Sequence, residues 1–134
     1  MIMTEQMSQY FADENVLSDY HIDEYNNALD GRESLEEHLL DDENHVIIFD
    51  TGFILFKIDG YEVEITSYYR SKDSTVPIKP VWESLKEVFR LNGCIKIVAY
   101  AINEKVCNVY ERRYGFTAIG YDGKTCRYKM EQDL

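Results

Sequence analysis

Apolar residues follow two rhythms along this chain, and the change comes near residue 45. Before it, Met3, Met7, Tyr10 and Phe11 recur at three- and four-residue spacing, which predicts a helix over residues 4–16 with Thr4 as its N-cap. Leu35, Leu39 and Leu40 predict a second helix over residues 32–40. Asp41, Asp42 and Glu43 follow it, and acidic groups at a helix C-terminus oppose the dipole and help stop the helix. Residues 17–30 show no sustained period and end at the break Asp30-Gly31.

From residue 45 the apolar positions come in short runs. HVIIFD (45–50), FILFKI (53–58) and YEVEITSYY (61–69) predict three strands, joined at Thr51-Gly52 and Asp59-Gly60. In the third, Tyr61, Val63 and Ile65 alternate with Glu62, Glu64 and Thr66. A polar loop over residues 70–79 leads to Pro80, placed to be the first residue of a helix whose inner face is Trp82, Leu85, Val88 and Phe89. Asn92-Gly93 closes that helix. An apolar run over residues 95–102 predicts a buried fourth strand. It breaks at Asn103-Glu104 into a helix with Val106, Val109, Tyr110 and Arg113 at helical spacing, ending at Gly115. A hairpin follows, residues 117–121 and 125–130, around Asp122-Gly123. The helical crossover should set the third and fourth strands side by side and parallel, with a right-handed connection. The predicted architecture is a single α/β (α+β) domain of 134 residues. A mixed central sheet with helices on both faces spans residues 45–134, and an acidic helical segment spans residues 1–44.

Charge adds a constraint. The formal net charge is −11, and it is lopsided: residues 1–50 hold fourteen Asp/Glu against one Lys/Arg, and the rest hold eleven against thirteen. Such a chain repels nucleic-acid phosphates, so no nucleic-acid partner is expected. The acidic half suits a basic substrate or a protein partner, or serves only as a solvated face. No apolar run approaches the ~20 residues of a membrane span. The first sixteen residues lack a basic start and an apolar core, so a cytoplasmic protein is expected. Cys94, Cys107 and Cys126 are widely spaced, with no CxxC pair and no Cys/His cluster, so reduced thiols and no metal site are expected.

The element order and two local motifs over residues 45–130 resemble the GNAT superfamily of Gcn5-related N-acetyltransferases. Asn103-Glu104-Lys105, Tyr110-Glu111-Arg112 and Gly115-Phe116 resemble the family pattern of a strand, an Asn and a helix ending Tyr-Glu-Lys-x-Gly-Phe. Tyr110 stands five residues before Gly115, where four is usual, so the helix is expected to hold a bulge or to use Tyr114 to take up the slack. Glu64-Ile65 matches an acidic position in the third strand ahead of the cofactor loop. In this family the third and fourth strands splay apart and acyl-CoA lies in the V between them. The phosphate loop departs from the family pattern. At family spacing it falls at TVPIKP (75–80), or at RSKDST (70–75) if begun at Arg70, and neither stretch has a glycine. Pro77 and Pro80 also lack N–H donors, so weak CoA affinity or a differently seated cofactor is expected.

The resemblance implies an acyltransferase moving an acetyl group from acetyl-CoA to an amine. Glu64, or Glu62 on the same face, would act as base through water, and Tyr110 would protonate the leaving thiolate. Ser67, Tyr68, Tyr69, Arg70, Thr75, Lys79 and Asn103 would contact the cofactor, with Lys72 and Lys79 as compensating charges. The alternative is a GNAT fold without activity, an interaction or structural protein such as a bacteriophage particle component or an acidic inhibitor of a host protein. The strands should diverge after about Thr66, and closure of the cleft by Tyr68, Tyr69 or Trp82 would favour the alternative.

Overall fold

The computed structural model describes residues 42–49, 52–70, 74–75 and 77–134, together with Phe11 and Asp23. The helices expected over residues 4–16 and 32–40 lie outside the described residues. The described elements are β1 (His45–Phe49), β2 (Gly52–Asp59), β3 (Glu62–Arg70), α1 (Ile78–Leu91), β4 (Lys96–Ala101), α2 (Glu104–Val109) with a π-helical continuation (Tyr110–Tyr114), β5 (Thr117–Asp122) and β6 (Arg127–Asp133). The strands form one sheet in the order β1-β2-β3-β4-β6-β5. β3 and β4 are its only parallel neighbours among the described strands. This is the mixed sheet that the crossover predicts.

Strand alternation sorts the apolar residues onto two faces. Ile47, Phe49, Ile54, Phe56, Val63, Ile97, Ala99, Ala101 and Met130 belong to one core cluster, with Val81, Trp82, Leu85, Val88 and Phe89 of α1 and Cys107 of α2. Leu85, Val88 and Phe89 are fully buried, and each such side chain contributes about 1.5–3 kcal/mol by leaving water. Ile48, Phe53 and Leu55 form a second buried cluster on the opposite face. Both described helices lie on the first face.

Two boundaries differ from expectation. α1 begins at Ile78 with Pro77 as N-cap, not at Pro80. The first-turn N–H groups of a helix have no intrahelical acceptor, so Pro80 fits there without losing a bond. The last strand runs from Arg127 to Asp133 rather than over residues 125–130. Its polar end is held by Lys96 and Lys129, whose ammonium groups lie 3.5 and 3.8 Å from the Glu131 carboxylate. Cys94, Cys107 and Cys126 are free thiols.

Candidate active site

β3 and β4 pair at only three positions, Glu62–Lys96, Val63–Ile97 and Glu64–Val98. Their pairing ends before Thr66, earlier than expected. The cause lies on the far edge of β3. Leu55 faces Ser67 while Phe56 faces Ile65, so Thr66 is an extra residue, a β-bulge. Its hydroxyl donates to Asn44 Oδ1 at 2.8 Å. A bulge bends and twists its strand, and β3 stays with β2 to Arg70 while β4 continues beside β6. The bulge also shifts the alternation, so Tyr68 joins Val63 and Ile65 on the helical face, and Tyr69 packs against Phe53 on the other.

The other wall of this V comes from α2. Asn103 caps it, its side-chain oxygen accepting the Val106 N–H at 2.9 Å. The additional residue before Gly115 is absorbed as a π turn: the N–H groups of Gly115 and Phe116 both point to the Tyr110 carbonyl. One inserted residue in a helix is commonly accommodated this way. Gly115 then ends the helix at φ +80, and a Cβ there would come within 2.7 Å of Gln132 Nε2. Tyr110 and Tyr114, four residues apart, lie on the same side of the helix, with ring centroids 6.1 Å apart. The Tyr114 carbonyl accepts from Trp82 Nε1 at 3.0 Å and from Gln132 Nε2. Trp82 thereby ties α1 to the end of α2, and its indole meets Tyr68, Tyr114 and Phe116 at 6.4, 5.4 and 5.7 Å.

The V therefore has two zones. The inner zone is an apolar pocket of about 20 Å³ among Tyr68, Trp82, Tyr110, Tyr114 and Phe116, room for about one water molecule. The outer zone is an open cavity of about 430 Å³. Tyr68, Tyr110 and Tyr114 form its inner end, and Arg70, Ser74 and Arg113 its polar side. Ile78 brings the first turn of α1 to it. Among the described residues the buried Tyr68 hydroxyl has no hydrogen-bond partner. Burial, followed by the neighbouring Tyr114 phenol, pushes its ionisation far above the ordinary phenol range, so it stays a neutral donor. An unsatisfied buried hydroxyl costs about 1–3 kcal/mol. Tyr68→Phe is accordingly expected to leave the ligand-free protein equally stable or up to ~1 kcal/mol more stable in urea unfolding. A clear loss of stability would mean that the hydroxyl has a partner in the free protein.

Of the residues expected at the site, Tyr68, Tyr69, Arg70 and Tyr110 line the outer cavity together. Glu64 is exposed on the opposite face of the sheet from Tyr110, opposite Lys57 in the ladder. Ser67 is buried on that same opposite face, beside Leu55. Thr75 and Lys79 are exposed and do not line the cavity, and Asn103 is engaged as a helix cap. Arg113 and Tyr114 were not expected as site residues. Their signal was the helical spacing itself, since Arg113 and Tyr114 fall three and four residues after Tyr110 and so share its side of the helix. Cys107 is buried against Met130, its Sγ 3.6 Å from the thioether. Burial, then the Glu111 and Glu104 carboxylates, push its thiol up, which suits a packing role rather than a nucleophile.

The polar side of the outer cavity suits an anionic ligand. Two guanidinium groups supply charge for phosphates. Ile78, in the first turn of α1, lines the cavity, and first-turn N–H groups have no intrahelical acceptor. The Tyr68 hydroxyl offers an unfilled hydrogen bond at the inner end. Among the described residues no group of His, Cys, Asp or Glu could hold a metal ion, and no helix is long and apolar enough to cross a membrane.

No family model matches the chain, and no curated protein matches it by sequence. Solved structures do match in shape. The PaiA N-acetyltransferase of Thermoplasma acidophilum, in complex with coenzyme A, superposes at a TM-score of 0.59 with 18% identity, over 89% of this chain and 81% of that one. A structure from Klebsiella pneumoniae assigned as an acyl-CoA N-acyltransferase gives 0.63 with 13% identity, over 92% and 97%. An acetyltransferase from Thermus thermophilus gives 0.55 with 18% identity, over 86% of each chain. With the splayed parallel strands, the crossover helix and the strand-to-helix wall in place, this chain has the GNAT fold of the N-acetyltransferases, in a divergent form.

Proposed function

We propose that this protein is an N-acyltransferase that takes an acetyl group from acetyl-CoA and delivers it to an amine. The observation that carries the proposal is the outer cavity, with Arg70 and Arg113 along its side and three phenols at its inner end. When bound, acetyl-CoA would supply an acyl group activated as a thioester. Arg70 and Arg113 hold the anionic part of the cofactor and so fix which end enters the V. The Tyr110 phenol can hold the proton that a leaving thiolate needs. Glu64 is the base for an amine approaching from the other face of the sheet. The acidic half of the chain favours a cationic amine as the acceptor. We take the cytoplasm, where acyl-CoA is made available, as the working compartment.

Titration with acetyl-CoA tests this directly. A ligand at 100 times its dissociation constant raises stability by about 2.7 kcal/mol, which a thermal-shift assay reads as a clear rise in midpoint. Isothermal calorimetry on the same sample should give one site per chain. No shift and no heat at about millimolar acetyl-CoA, roughly the weakest binding that yields such a signal, would sink the enzyme reading. The fold would then be left to an interaction role.

A further inference from the structure

A second recess, of about 250 Å³, runs along α2 beside the cavity already described. Lys105, Asn108, Arg112 and Arg113 line it, at spacings that put them along one side of the helix. Val109 and Arg113 belong to both recesses, so the two adjoin. Glu104 and Glu111 stand outside the lining. Among the described residues Lys105, Arg112 and Arg113 have no ion pair, whereas Lys86, Arg90, Lys96 and Lys129 each stand beside a carboxylate. These three exposed cations therefore leave positive charge along the recess that no described carboxylate offsets, a setting that suits an anion.

We infer that this recess holds a phosphate monoester: the 3′-phosphate of coenzyme A, whose pyrophosphate lies in the adjoining cavity at Arg70 and Arg113. The inference rests on the acyl-CoA reading above and names the part of the cofactor that this chain grips hardest. A monoester carries about −1.5 to −2 charges at neutral pH and three acceptor oxygens. The Arg112 guanidinium matches two of those oxygens, the Lys105 ammonium adds a point charge, and the Asn108 amide adds a neutral donor. Pyrophosphate and 3′-phosphate hang from the same ribose, so two recesses that share Arg113 suit them. The arrangement also accounts for a phosphate loop without glycines. Donors missing on the α1 side, where Pro80 has no N–H, are replaced by side-chain cations on the α2 side.

Calorimetry on the full chain with coenzyme A and with 3′-dephospho-coenzyme A tests this without any turnover assay. The wild type should bind coenzyme A about tenfold tighter or more than the dephospho form, as expected for a charge-assisted contact. A Lys105→Gln/Arg112→Gln double variant changes two exposed side chains, so its circular dichroism should match the wild type. It should bind both ligands as weakly as the wild type binds the dephospho form. Equal affinity of the wild type for both ligands overturns the inference while leaving the acyl-CoA reading standing. A preference that survives in the double variant overturns the assignment to Lys105 and Arg112. If neither ligand binds, the acyl-CoA reading fails and this inference falls with it.

Discussion

Replacing Trp82 with alanine is expected to cost about 3–5 kcal/mol of folding stability, the range for truncating a buried aromatic side chain. That is a large share of the roughly 5–15 kcal/mol that holds a domain of this size together. The indole is only 5% exposed and meets three aromatic rings drawn from β3, the π turn and the residues after it. Its removal opens a cavity where rigid rings from several elements converge, so collapse cannot fill it. Two further variants separate packing from hydrogen bonding. Trp82→Phe keeps an aromatic ring but loses the Nε1–H bond to the Tyr114 carbonyl. Gln132→Ala removes the other donor to that carbonyl. Each should cost about 0.5–1.5 kcal/mol, because one donor remains. The double variant leaves a partly buried carbonyl at the helix end without either, so it should cost more than the two single losses combined. Urea unfolding of the four proteins checks this. A Trp82→Ala loss below ~1 kcal/mol would show that the aromatic cluster is not what joins α1 to α2.

Why some of this was legible in the sequence, and some was not, follows from the range of the interactions. The meander, the crossover and the closing hairpin are written in local terms: alternation in residues 61–65, Asp59-Gly60 and Asp122-Gly123 as turns, and Gly115 where the chain needs positive φ. The fourth strand could be read as buried because its apolar run is nearly unbroken. What was misplaced depends on partners far along the chain. Pro77 rather than Pro80 starts α1, a choice between two prolines that the local pattern leaves close to equal. β6 runs on to Asp133 because Lys96 and the Tyr114 carbonyl give its polar end something to hold. The strands diverge at Glu64 because Thr66 bulges against β2, and no residue type in YEVEITSYY announces a bulge. In the site, Tyr110 was marked by its motif. Arg113 and Tyr114 fall three and four residues after Tyr110, on the side of the helix that its motif marks, and the π turn takes up the extra residue before Gly115. The inner pocket is filled nearly shut by Tyr68 and Trp82, yet the outer cavity beside it is open. A choice between an open and a closed cleft was therefore too coarse.

The chemistry separates most cleanly at Tyr110. Tyr110→Phe is expected to lower kcat by about a hundredfold or more, the usual loss when a positioned proton donor is removed, with the thermal shift on acetyl-CoA unchanged. The ring's contacts with Tyr114 and Phe116, at 6.1 and 5.9 Å, are kept by phenylalanine, so neither the fold nor the cavity wall should change. A fall in kcat with an unaltered KM for acetyl-CoA marks an interaction made only as the reaction proceeds. Tyr114→Phe is the necessary partner experiment, because the π turn presents two phenols to the same cavity. If Tyr110 is the donor, Tyr114→Phe should keep turnover within a few-fold of the wild type. If instead Tyr114→Phe loses turnover while Tyr110→Phe keeps it, the inserted residue has moved the donor one turn along the helix. If both variants turn over normally, neither phenol of this helix protonates the leaving group, and the role assigned to Tyr110 is wrong. The pH profile supplies an independent readout. A phenol donor gives a basic limb in kcat that should vanish in the variant lacking it, whereas a tyrosine that only packs would leave that limb in place.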